Sequence, residues 1–85
     1  MPRNRGEIAI APIARILKQE GAERVSDEAA TYLRNILEEI ARYIAREAVS
    51  LTKYSNRKTV TRRDIEYVVK RMYRQEITSL LREGL

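Results

Sequence analysis

Seventeen cationic side chains, with no histidine and no cysteine, bound the chemistry open to this 85-residue chain. Without Cys there is no disulfide and no thiolate metal site. Without His the commonest metal ligand and the commonest general base are both missing. Ser26, Ser50, Ser55 and Ser79 therefore lack an imidazole to activate them. The carboxylates stand mostly beside Arg or Lys at helical spacings, as in Glu38/Arg42 and Glu66/Lys70, a pattern that predicts a salt-bridged surface. The sequence argues against an enzyme, and for no metal, no organic cofactor and no small-molecule substrate.

What remains is charge. The net charge is +5 and the sequence pI is near 9.9. Residues 1–25 carry +2, residues 26–55 carry −1, residues 56–74 carry +5 and residues 75–85 carry −1. Positive charge is thus focused on both sides of a nearly neutral middle, which favours a polyanionic partner. Arg outnumbers Lys 13 to 4, and Arg suits bidentate phosphate contacts and minor-groove insertion better than Lys. A solvated helix surface accounts for any single Arg equally well. No apolar run approaches the roughly 20 residues needed to span a bilayer. Met1 to Arg5 has no apolar stretch behind it, so no secretory signal is expected. The prediction is a cytoplasmic, nucleoid-associated protein that does not enter membranes.

Three helices are needed to position these cations. The first is predicted near Ile8 to Glu20, with Pro12 tolerable only in its opening turn and Gly21 as its stop. Ile13, Ile16 and Leu17 form its apolar stripe. Ser26 is a good N-cap, and Asp27 and Glu28 supply favourable first-turn charges. From there Leu33, Ile36, Leu37, Ile40, Ile44, Ala48 and Leu51 recur at spacings of three and four to about Tyr54, with no Pro or Gly between. Such a helix is about 42 Å long. Ser55 to Lys58 breaks the pattern, and Lys58 to Thr61 looks briefly extended. Thr61 caps a third helix with Asp64 at the capping-box position, and Ile65, Val68, Val69 and Met72 form its apolar face.

The apolar stripe of the central helix spans roughly 160°, wider than a surface helix needs. Two short flanking helices cannot cover it, whereas a second copy crossing it can. A chain this small also buries little core alone. Physics alone therefore predicts an all-α chain of short, long and short helices that works as an obligate dimer.

The motifs carry a resemblance. Ile10-Ala11-Pro12-Ile13, Gly21-Ala22-Glu23-Arg24-Val25-Ser26, Arg57-Lys58-Thr59-Val60 and Asp64-Ile65-Glu66 occur in an order and spacing that resemble archaeal histones. The resemblance runs from about Ile8 to Arg74. It implies the histone fold in residues 8–74, interlocked as a handshake homodimer. It also implies binding to double-stranded DNA without sequence preference. The dimers would join end to end, wrapping and compacting DNA into larger nucleosome-like particles.

Roles follow from the resemblance residue by residue. Arg15 is similar to the arginine that enters the minor groove, with Thr59 as the hydroxyl that holds it. Arg24 corresponds to a first-loop DNA contact, Lys58 to a second-loop phosphate contact and Lys18 to a first-helix contact. Ser26 and nearby helix amides could add phosphate hydrogen bonds. Arg57 and Asp64 resemble a structural ion pair. Leu51, Tyr54, Asp64 and Tyr67 occupy the positions of the surface between dimers. There this chain departs from the family, which commonly has His and Leu where Tyr54 and Tyr67 stand. Residues 1–7 form a short extension carrying Arg3 and Arg5. Residues 75–85 form a C-terminal extension expected to continue the third helix, with Ile77, Leu80 and Leu81 on one face and Gly84 near its end. These departures favour an alternative: a histone-fold dimer that bends or bridges DNA, or a transcription-complex subunit, without extended wrapping.

Overall fold

The computed structural model describes residues 6–83, with side chains through residue 75. Three helices follow one another: α1 (Ile10–Gln19), α2 (Asp27–Tyr54) and α3 (Arg62–Glu83). Among the described residues there is no strand, so the class is all-α. Lys58 to Thr61, expected to look briefly extended, forms no ladder; its backbone is held instead by side chains, the Thr59 carbonyl accepting from Arg57 and the Thr61 N–H donating to Asp64. Arg3, Arg5, the side chains of Ile77, Leu80 and Leu81, and Gly84 lie outside the described residues.

The chain divides into two compact units, Met1–Ala41 and Arg42–Leu85, and α2 contributes to both. In the first unit the buried residues are Ile13 of α1 with Ala30 and Arg34 of α2. Those in the second unit are Ala48 and Thr52 of α2 with Asp64 and Val68 of α3. Within each unit the buried α2 residues stand four apart, which is one helical face. They are also small or polar. Three large apolar residues in the middle of α2 are left out: Ile36, Leu37 and Ile40 remain 39–41 % exposed. The intramolecular packing therefore buries small or polar residues of α2 most deeply, half-buries Leu33, Ile44 and Leu51, and leaves the middle of the apolar stripe exposed.

Both interhelix turns are made the same way. After α1, the Gly21 N–H donates to the Lys18 carbonyl (3.0 Å) and the Ala22 N–H to the Leu17 carbonyl (3.1 Å). After α2, the Asn56 N–H donates to the Lys53 carbonyl (3.0 Å) and the Arg57 N–H to the Thr52 carbonyl (2.8 Å). These are two Schellman motifs, each needing a residue with positive φ. Gly21 (φ 118°) and Asn56 (φ 61°) supply it. A side chain at Gly21 would meet nothing within 4 Å, so this glycine is required by its backbone angle and not by crowding within the chain.

The helix starts differ from one another. At α2, the Ser26 hydroxyl accepts the Ala29 N–H at 3.0 Å, an ordinary N-cap. At α3, the Thr61 N–H donates to Asp64 Oδ2 (2.8 Å), the returning half of a capping box. The Thr61 hydroxyl also donates to Oδ2 (3.0 Å). The start of α1 falls two residues later than Ile8, and its N-cap, Ala9, has no side-chain cap. Pro12 remains in the first turn, where its missing N–H costs nothing. At its other end, α3 is 22 residues long and runs through residues 75–83, where no Pro or Gly interrupts it.

Candidate nucleic-acid interface

The described cations sort into those committed to partners within the chain and those presented to solvent. In the first unit Arg15 and Lys18 stand three apart on one face of α1, and Arg24 follows in the loop to α2. All three side chains are exposed. Ser26 is exposed as well. Its oxygen accepts the capping bond from Ala29, which leaves the hydroxyl proton able to donate.

The second unit presents Lys58 and Thr59 in the loop between α2 and α3, both exposed. Arg57, their neighbour, is held inside the chain. Its Nη2 lies 2.7 Å from Asp64 Oδ1 and its Nη1 3.1 Å from Oδ2, a bidentate pair. Nη1 also donates to the Thr59 carbonyl at 3.3 Å. The Arg57 side chain is 40 % exposed but the Asp64 side chain only 6 %. The Arg57 guanidinium, then the Thr61 hydrogen bonds, hold the Asp64 carboxyl well below the usual carboxylate range against the cost of burial. The same pair raises the Arg57 pKa. Loop shape thus depends on Arg57, while Lys58 beside it is left facing outward.

Leu51, Tyr54 and Tyr67 line one shallow groove of about 380 Å³ in the second unit, with Glu47, Ser50, Val68 and Arg71. Tyr54 is 91 % exposed and Tyr67 53 %. The Arg71 guanidinium lies 5.9 Å from the Tyr67 ring centroid, within cation–π reach. Asp64 stands apart from these three. It is buried at 4 % exposure, and Oδ2 alone receives Arg57 and both Thr61 donors. Within the chain its carboxylate serves the loop.

Two further side chains form a contact that the sequence reading does not include: it does not single out Arg34, and it sets Glu38 only opposite Arg42 on a salt-bridged surface. Arg34, 2 % exposed, donates through Nη1 to the Ile8 carbonyl (3.0 Å) and through Nε to Asn35 Oδ1 (2.9 Å). Glu38, one turn along α2, accepts the Ile8 N–H at 3.1 Å. The available signal was an Arg at a position shielded by Leu33 and Leu37, with a Glu four residues on. Glu66, expected opposite Lys70, instead pairs with Arg62 one turn earlier at 3.0 Å. Among the described residues no cluster of acidic side chains could hold a metal, and no helix is long and apolar enough to cross a membrane.

Over residues 7–69 the chain matches the family described as histone-like transcription factor (CBF/NF-Y) and archaeal histone. It is 50 % identical over 60 residues to "Probable archaeal histone 3" of Methanocaldococcus jannaschii, covering 71 % of this chain and 90 % of that protein. Identity to one of the archaeal histone HAN1 proteins of Thermococcus zilligii is 42 % over 64 residues, 75 % of this chain and 96 % of that one. Histone H4 of Tetrahymena thermophila is 34 % identical over 62 residues, 73 % of this chain and 60 % of the histone.

Proposed function

The chain belongs to the family of histone-like transcription factors and archaeal histones, and on that premise we propose that it is a DNA-packaging histone. It acts as a handshake homodimer, binds double-stranded DNA without sequence preference and wraps it in larger assemblies. The observation that carries this reading is the sorting of cations. Arg15, Lys18, Arg24 and Lys58 are all exposed, whereas Arg57 is spent on Asp64. Exposed, uncommitted cations on a helix and two loops neutralise phosphates and read no bases.

The exposed middle of the α2 stripe supports the dimer. Ile36, Leu37 and Ile40, each about two-fifths exposed, are the surface a second copy would bury. Arg15 lies in the first compact unit and Thr59 in the second. In a handshake dimer their contact would run from one chain to the other. The reading places the protein on the chromosome.

Leu51, Tyr54 and Tyr67 would form the contact between dimers, with Glu47 and Arg71 in the same groove giving each copy one charge of either sign. Under a two-fold axis such a surface is self-complementary. The exposed Tyr54 also supports the second reading, a dimer that bends or bridges DNA, or a transcription-complex subunit, without extended assembly.

Binding measured against salt tests the first part. Arg24→Ala or Lys58→Ala should weaken binding alike on unrelated sequences and lower the log–log salt slope by about one for each phosphate no longer neutralised. A preference of about 10⁴-fold for one short sequence would refute non-specific packaging. Nuclease digestion of the complex tests the second part. A ladder of protected lengths marks wrapping by joined dimers, and a single short footprint marks isolated ones.

A further inference from the structure

Ile8, the second residue before α1, is gripped at both backbone polar groups by one face of α2. Its carbonyl accepts from Arg34 Nη1 at 3.0 Å, and its N–H donates to Glu38 Oε1 at 3.1 Å. The two side chains are one helical turn apart, so they reach the same residue from a single ridge. Arg34 is buried at 2 % exposure, and its orientation is fixed further by the bond from Nε to Asn35.

A buried guanidinium is costly to keep, and a methionine or leucine would fill such a space more cheaply. Its presence needs a reason beyond filling volume. The start of α1 supplies one. Ala9 provides no side-chain cap, so locally only Pro12 bounds the start of α1, and nothing local fixes its first residue or how it is turned about its axis. The grip from α2 does both. It sets the entry of the chain two residues ahead of the helix, and every later side chain of α1 inherits that setting. Arg15 and Lys18 are the exposed cations on α1.

Gly6 belongs to the same device. A Cβ there would lie 2.5 Å from Nη1 and 2.9 Å from Cζ of Arg34, and closer still to Glu38 Oε1. A long side chain would normally swing aside. This one is pinned by its hydrogen bonds and its burial, so the backbone at residue 6 can pass only without a side chain.

We infer that Arg34 and Glu38, with Gly6 making room, are positioning residues for DNA binding: they hold α1 so that Arg15 and Lys18 meet the DNA, without touching it themselves. The inference rests on the DNA-binding reading above.

The test uses the sign of a charge. Glu38→Met removes a negative charge, so electrostatics alone would tighten DNA binding. Loss of positioning predicts the reverse, a weakening of about three- to tenfold, the scale of one hydrogen bond's net effect. Glu38→Gln keeps an oxygen acceptor for Ile8 and should bind at least as tightly as the unaltered protein. Gly6→Ala, which changes no charge, should weaken binding like Glu38→Met. In an Arg15→Ala, Lys18→Ala background neither Glu38→Met nor Gly6→Ala should weaken binding further, because the effect acts through those side chains. Hydrogen exchange of the Ile8 amide provides a readout independent of DNA: protection should disappear in Glu38→Met and persist in Glu38→Gln. Should Glu38→Met unfold the protein, Gly6→Ala carries the comparison alone. Tighter or unchanged binding by Glu38→Met and Gly6→Ala, or full additivity with Arg15→Ala and Lys18→Ala, would overturn the inference. Absence of DNA binding by the unaltered protein, with Ile8 still protected, would overturn the packaging reading and this inference with it. The grip itself would stand.

Discussion

Arg57 holds Asp64 by both ends of its guanidinium, at 2.7 and 3.1 Å, across the loop that joins α2 to α3. The carboxylate is almost wholly covered, and it also ties down the Thr61 N–H and hydroxyl at the start of α3. One buried acid thereby fixes both the loop and the helix that follows, with Lys58 and Thr59 carried between the two partners.

Arg57 and Arg15 should therefore differ in what their loss damages. Arg57→Ala leaves a buried carboxylate with its strongest donors removed, so the thermal midpoint should fall by several degrees. Arg15→Ala removes an exposed side chain, so melting should barely change while DNA affinity drops. Paired melting curves and titrations decide it. Unchanged melting together with weakened binding in Arg57→Ala would mean that Arg57 is itself a DNA ligand.

Acid should loosen the same loop. The pKa of Asp64 in the folded chain lies below its ordinary value of about 4, chiefly through Arg57. A lowered carboxyl pKa contributes stability that is complete above the unfolded-state value and is lost as pH falls below it. Stability should thus fall from about pH 4 downward through this group. Asp64→Asn should be less stable at neutral pH and show a shallower acid loss. Denaturant midpoints of both proteins from pH 7 to 2 measure it, and parallel curves would remove Asp64 from the account.

In the proposed dimer, folding and association would be a single event. Ile36, Leu37 and Ile40, each about two-fifths exposed, are the residues a second copy would cover. A hundredfold rise in protein concentration should raise the thermal midpoint by on the order of 5–10 °C, from mass action and the unfolding entropy of two such chains. Calorimetry over that range is sufficient. A midpoint that does not move would show that a single chain folds by itself.

Ser26 has two roles to separate, the cap of α2 and a proposed phosphate contact. Ser26→Ala should cost about 1 kcal/mol of stability, the usual worth of an N-cap. Ser26→Asp keeps a capping oxygen and adds favourable charge at a helix start, so melting should hold or rise. On DNA the added negative charge should weaken binding. If Ser26→Asp binds DNA as well as the unaltered protein, residue 26 is not near a phosphate.

Much of this was readable along the chain because it is governed by near neighbours. A cap bonds an amide three residues away and a Schellman turn closes over five, so Ser26 and Gly21 marked helix ends without reference to anything distant. The apolar stripe of α2 was equally legible, since period and width are properties of one helix. Family likeness brought Arg57 and Asp64 together, seven residues apart. Tertiary structure decided the rest. The grip of Arg34 and Glu38 on Ile8 spans 26 and 30 residues, and it exists only because the segment before α1 lies against α2. No periodicity encodes such a contact, so the sequence placed the start of α1 at Ile8, passed over Arg34 and assigned Glu38 only to a surface pair with Arg42. Asp64 makes a related point. Likeness placed it both in the ion pair and on the surface between dimers, but how far a carboxylate is covered is decided only by packing, which leaves its side chain 6 % exposed beside the guanidinium.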